Sequence, residues 1–171
     1  AEPVLNTATP GNAQVSLSWS AVTGASGYKV YYGKASRTYN SPIDVGSAKT
    51  RIINNLTNGT KYYFAVVAYN AADQGVYSNE LSATPVAVSA APVLNTVTAG
   101  DKQVTLTWAA AAGAAGYKIY YGTSPALYGT PVSVGNTTTS TVTGLTNGMT
   151  YYFTVSATNT SGESARSNEL S

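Results

Sequence analysis

Slid against itself by 89 positions, the chain aligns Glu2–Ser82 with Ala91–Ser171 without a gap, and 40 of the 81 pairs are identical. A repeat this long means that one folding unit occurs twice, each with its own core, rather than one core drawn from the whole chain. The matches come in blocks: PVLNT from Pro3 and Pro92, Trp19 and Trp108, GYK-x-YYG from Gly27 and Gly116. Further on come LTNG from Leu56 and Leu145, YYF from Tyr62 and Tyr151, and SNELS from Ser78 and Ser167. Two domains are expected at 1–85 and 92–171, joined by a short linker over 86–91. Pro85 and the Val/Ala content of that linker should restrict the pair more than a Gly/Ser tether would.

Within each unit the hydrophobic period is two. In QVSLSW, Val15, Leu17 and Trp19 alternate with Ser16 and Ser18, the pattern of a half-buried strand. In GYKVYYG, Tyr28, Val30 and Tyr32 share one face; in YYFAVVAY, Tyr62, Phe64, Val66 and Ala68 do. Turn residues fall between these runs: Gly24 to Gly27, Gly33, Pro42, Gly46, Asn58-Gly59 and Gly75. Seven or so short strands per unit, with a turn about every ten residues, predict a β-sandwich. No sustained helical period is present.

Several residues carry a family resemblance. A Trp stands in the second strand (Trp19, Trp108), and Tyr-x-aliphatic-x-Tyr in the third (Tyr28, Val30, Tyr32; Tyr117, Ile119, Tyr121). A Leu is followed six residues later by Tyr and then by alternating apolar positions (Leu56 and Tyr62; Leu145 and Tyr151). Each unit resembles a fibronectin type III domain over nearly its whole length. The resemblance implies an all-β chain of two tandem seven-stranded, immunoglobulin-like sandwiches. It also implies that Tyr62 and Tyr151 form the structural tyrosine corner, their hydroxyls bonding the backbone upstream. The second unit stops at SNELS where the first continues to SNELSATP, so its last strand is expected to be short and its neighbouring edge open.

The composition narrows the chemistry. Charged residues make up 9% of the chain, the net charge is +2, and no basic stripe exists, which argues against a nucleic-acid partner. There is no Cys and no His, so thiol nucleophiles, disulfides and the commonest general base and metal ligand are absent. The seven carboxylates are scattered, and only Glu80 and Glu169 recur at equivalent positions. They read as solvated turn acids rather than a catalytic pair. No dense oxygen-ligand loop suggests calcium. Catalytic, cofactor and metal sites are therefore all expected to be absent, and no apolar run is long enough to insert into a membrane.

If the third and sixth strands pair, as the resemblance implies, one sheet turns Lys29, Tyr31, Tyr63, Val67 and Tyr69 away from the core. The second unit places Lys118, Tyr120 and Tyr152 there. A tyrosine offers an apolar ring for stacking and a hydroxyl for hydrogen bonding, so these form a candidate interaction face. The alternative is that Tyr31 and Tyr63 brace the sheet as cross-strand neighbours. Tyr39 and Tyr128, each three residues before a proline, read as rim tyrosines covering an edge. Asn-x-Ser/Thr acceptors for glycosylation occur at Asn55, Asn58, Asn136 and Asn159.

The start AEPVLN, without Met, reads as a processed mature form or a trimmed chain; the first is the more natural reading and points to an extracellular or cell-surface location. The resemblance, in a Cys-free chain rich in Thr, Ala and Tyr, points to bacterial secreted proteins. There such pairs act as non-catalytic spacers or interaction modules. Partners are then the rest of a parent protein, a second copy or a polysaccharide. Two alternatives remain: a subunit of an extracellular filament or surface layer assembling through edge strands, and a carbohydrate-binding module using Tyr31, Tyr63, Tyr120 and Tyr152.

Overall fold

A computed structural model describes all 171 residues, and it divides into two compact units, Ala1–Ala87 and Val88–Ser171. Every regular element is a strand. The first unit contains β1 (Leu5–Gly11), β2 (Gln14–Trp19), β3 (Gly27–Gly33), β4 (Ile43–Asp44), β5 (Thr50–Ile53), β6 (Tyr62–Tyr69), β7 (Gln74–Tyr77) and β8 (Leu81–Ala83). The second contains β9 (Leu94–Gly100), β10 (Gln103–Trp108), β11 (Gly116–Gly122), β12 (Val132–Val134), β13 (Thr139–Thr143), β14 (Tyr152–Asn159) and β15 (Gly162–Arg166). No helix in the chain is long and apolar enough to cross a membrane.

In the first unit β1-β2-β5 form one sheet, and β4-β3-β6-β7 the other, with β8 also pairing with β6. The second unit repeats this as β13-β10-β9 and β12-β11-β14-β15. All pairings are antiparallel, and the third and sixth strands do pair: Gly27 opposes Tyr69, Lys29 opposes Val67, Tyr31 opposes Ala65 and Gly33 opposes Tyr63. The period-two faces predicted from sequence become the core. Val15, Leu17, Trp19, Tyr28, Val30, Tyr62, Phe64 and Val66 are buried together between the sheets, as are Leu106, Trp108, Tyr117, Ile119, Phe153 and Val155 in the second unit.

The polar parts of the repeated blocks lock this frame. Tyr62 Oη accepts the N–H of Thr57 at 3.1 Å, and Tyr151 Oη that of Thr146 at 3.2 Å, so both tyrosine corners form. Such a bond contributes about 1 kcal/mol net. The same LTNG turn reaches the first hairpin: Asn58 Oδ1 accepts from Ala13 N and Asn147 Oδ1 from Lys102 N. Tyr28 and Tyr117 add a further lock, their hydroxyls accepting from Val22 N and Ala111 N. The indole N–H groups of Trp19 and Trp108 are buried with no acceptor, an unmet polar group that both copies keep.

SNELS explains why the last strand of the first unit is in two pieces. The Ser78 hydroxyl takes the place of a backbone acceptor, receiving Val66 N–H at 3.0 Å and donating to Asn79 O at 2.7 Å. The chain kinks there, and Asn79 clamps both backbone groups of Leu5, which belongs to the opposite sheet. Ser167 and Asn168 repeat both arrangements around Val155 and Leu94. In the second unit the strand after the kink is a single bridge between Leu170 and Phe153.

Candidate functional site

The face opposite the core is less open than the alternation implies. Val67 and Ala65 are fully buried, and Tyr31 and Tyr120 are only 9% and 8% exposed. The physical reason is that the face is roofed. Side chains from β7, the edge strand beside β6 in the same sheet, and from the loop between β3 and β4 lie across it and cover the inner strands. Tyr31 does not brace Tyr63, as a cross-strand pair would. Its ring instead meets Tyr77 of β7, edge-on at 4.9 Å, and Tyr39 of the loop at 6.2 Å. Tyr39 and Tyr77 close the triangle at 5.4 Å.

The remaining candidates lie around this cluster. Lys29 donates to Gln74 Oε1 at 3.0 Å, and Gln74 donates to Tyr31 Oη at 3.1 Å. Tyr69 is half-buried, donates to Asp44 Oδ1 at 3.0 Å and lies 5.4 Å from Lys29 Nζ. Its ring occupies the space where a β-carbon on Gly27 would sit, so Gly27 is needed for close approach. Tyr63 stands apart with Lys61 Nζ 5.2 Å from its ring, and Tyr152 is half-buried at the matching place in the second unit.

The second unit builds its cluster from different residues. Where the first has Gln74 and Tyr77, the second has Glu163 and Arg166. The Arg166 guanidinium lies 4.1 Å above the Tyr120 ring and 5.0 Å from that of Tyr128, a cation–π sandwich. Glu163 takes hydrogen bonds from Lys118 at 2.7 Å, from Ser156 at 2.6 Å and from Tyr120. Burial pushes the Glu163 carboxyl pKa up, but these three donors outweigh it and hold the group down at about 2. A carboxylate so depressed adds stability above its ordinary value that is lost as pH falls through the folded value. Wild-type stability should therefore exceed that of Glu163→Gln by about 1 kcal/mol near neutrality, after solvent screening of this partly exposed ion pair. The gap should close between pH 4.5 and about 2 in paired thermal melts.

The recurring acids remain partly exposed, but each also binds the loop after the third strand, a role that the expectation of solvated turn acids did not include. Glu80 accepts from Ser36 Oγ at 2.6 Å, Arg37 N at 2.8 Å and the Tyr39 hydroxyl. Glu169 accepts from Ala126 N at 2.9 Å and from the Tyr128 hydroxyl. The kink at Ser78 or Ser167 aims each carboxylate under the loop that follows the third strand, so each clasps that loop to its sheet. Burial and the Glu80 carboxylate both drive the Tyr39 phenol well above its usual value; burial and Glu169 push Tyr128 up to about 12. The rim tyrosines are thus the loop's anchors.

Between the clasped loop and β7 of the first unit lies a cleft of about 370 Å³, bounded by Arg37, Tyr39, Tyr77 and Glu80. Tyr77 is 47% exposed and its neighbour Val76 64%. Neither is marked by repetition, because their counterparts in the second unit are Arg166 and Ala165. Among the glycosylation acceptors, Asn55 and Asn136 are exposed, whereas the Asn58 side-chain amide donates to Asn12 at 2.9 Å and that of Asn159 to Ser89 at 3.3 Å. No group of three or more acidic side chains is placed to hold a metal ion.

Two sandwiches with a kinked last strand and a tyrosine corner define an immunoglobulin-like module. The chain belongs to the fibronectin type III family, whose model matches residues 4–84 and again 90–171. It is 35% identical over 195 aligned positions to Chitinase A1 of Niallia circulans, covering 99% of this chain and 26% of that protein. It is 32% identical over 166 residues to the Kelch domain-containing protein SSO1033 of Saccharolobus solfataricus, covering 95% and 23% respectively. The chain therefore spans about a quarter of the length of these relatives. Among solved structures, the FN1–FN3 domains of chicken CNTN1 superpose with a TM-score of 0.79 at 17% identity, over 99% of this chain and 66% of that one. That likeness is one of fold.

Proposed function

We propose that this chain is a non-catalytic extracellular module that sets apart and presents other parts of its protein. Its first unit adds a contact surface for a polysaccharide or a protein. The observation that carries this reading is the Tyr31–Tyr39–Tyr77 cluster, which ends in the exposed side chains of Tyr77 and Val76. Exposed aromatic surface on a rigid sheet is the ordinary form of an interaction site. The non-catalytic part rests on how the acids are used: Glu80, Glu163 and Glu169 are each engaged by two or three donors in structural clasps. The extracellular part is supported by relatives named as chitinases, of which this chain aligns to a fraction.

The test has two measurements on the full chain. Light scattering across a wide concentration range is expected to give a constant monomer mass. Incubation with chitin and starch is expected to release no reducing ends. Growth into open-ended assemblies would replace this reading with the filament one, and sugar release would end the non-catalytic one.

A further inference from the structure

The two units share a backbone and a clasp but differ where the cleft opens. In the second unit the guanidinium of Arg166 lies across both tyrosine rings, so their faces are already occupied. In the first unit the equivalent residue is Tyr77, nearly half exposed, and no cation covers it. Arg37 adds a second difference, since its counterpart is Ala126. Both residues have positive φ, 55° and 57°, so the backbone there belongs to the loop design and only the side chain differs. The Arg37 backbone N–H is bonded to Glu80, while its guanidinium makes no ion pair or hydrogen bond within the chain.

The cleft thus presents an exposed aromatic ring, a guanidinium with no hydrogen bond of its own whose charge acts on the nearby Glu80 carboxylate, and a carboxylate with remaining acceptor capacity. Arg37 and Glu80 cancel in charge, which disfavours an ionic ligand. Guanidinium donors and carboxylate acceptors together suit a group that both donates and accepts, as vicinal hydroxyls do. A pyranose ring adds an apolar C–H face that matches an aromatic ring. The size fits as well: about 370 Å³ lies at the small-ligand end of the roughly 300–1,000 Å³ range of binding pockets. A stable protein interface instead needs about 800 Å² per partner.

We propose that the cleft between the β3–β4 loop and β7 of the first unit is a saccharide subsite, in which Tyr77 stacks on a neutral pyranose and Arg37 and Glu80 bond its hydroxyls. This rests on the interaction-module reading and narrows its partner to a neutral polysaccharide. The second unit, closed by Arg166, does not bind.

The test is a titration of the ¹⁵N-labelled full chain with chitohexaose, cellohexaose and maltohexaose. At least one is expected to shift the amides of Arg37, Tyr77 and Glu80, with no comparable shifts around Arg166. Tyr77→Arg, which installs the residue the second unit already folds with, should weaken that binding at least tenfold without changing Tm. Tyr77→Ala should weaken binding as much but also lower Tm, because it removes the ring contacts to Tyr31 and Tyr39, while Tyr63→Ala on the same sheet should leave binding unchanged. Folded Tyr77 variants that bind as tightly as wild type would overturn the proposal. So would shifts centred on Tyr63 or on the second unit, or the absence of binding to all three oligosaccharides. A monomer that binds none of them would still leave a protein partner open, so the module reading fails only by its own measurements.

Discussion

Replacing Phe64 by Ala should destabilise the first unit by about 3–5 kcal/mol, the range for truncating a fully buried aromatic. Phe64 has no solvent exposure and is the third residue of β6, opposite Tyr32 on one side and Leu81 on the other. Its ring stacks on Tyr32 at 6.2 Å with the planes only 19° apart. The cavity left behind cannot easily collapse, because the side chains around it hang from strands held in register on both sides. A domain with ~5–15 kcal/mol to lose would forfeit a large share of its stability. The loss should appear in urea as a lower midpoint for the transition that includes the first unit, with the slope nearly unchanged. A cost under about 1 kcal/mol would mean that Phe64 is not the packing centre it occupies here.

The core was readable because burial on one face of a strand leaves a period-two mark. Val15, Leu17, Trp19, Tyr62, Phe64 and Val66 all carry it, and all are buried together. The outer face was only half readable. Alternation says which way Tyr31, Val67 and Tyr120 point, but it is silent on whether something later in the chain covers them. The covering comes from β7 and from a loop whose sequence diverges between the copies, so neither period nor repetition marks it. The same gap hid the role of Glu80 and Glu169. A carboxylate in a turn looks solvated until the kink made by Ser78 or Ser167 turns it beneath Tyr39 or Tyr128. Tyr77 could have been found by reading the repeat for its differences rather than its identities. Tyr77 against Arg166 and Gln74 against Glu163 exchange a neutral, open cluster for a charged, filled one.

Gly33→Ala should act on the loop that makes the cleft. A β-carbon on Gly33 would fall well inside contact distance of the backbone oxygen of Thr38 and 3.1 Å from its carbonyl carbon. Backbone cannot rotate aside as a side-chain tip can. The loop, held by the Ala35–Thr38 bridge and by Asn40 N donating to Tyr32 O at 2.9 Å, must therefore lift. Overpacking of this kind costs about 1–3 kcal/mol, and Gly122 faces Leu127 O in the same way in the second unit. The informative readout is local. Burial and the bond to Glu80 hold the Tyr39 phenol above its ordinary value, so a lifted loop should bring it back down toward about 10. An ultraviolet titration of the phenols would show one more tyrosine ionising in the normal range than in wild type. Arg37 and Tyr39 leave the cleft wall in the same movement, so oligosaccharide shifts at Tyr77 should weaken with the phenol change. If the phenol moves while binding persists, Arg37 makes no contact with the saccharide, and the contacts belong to Tyr77 and Glu80.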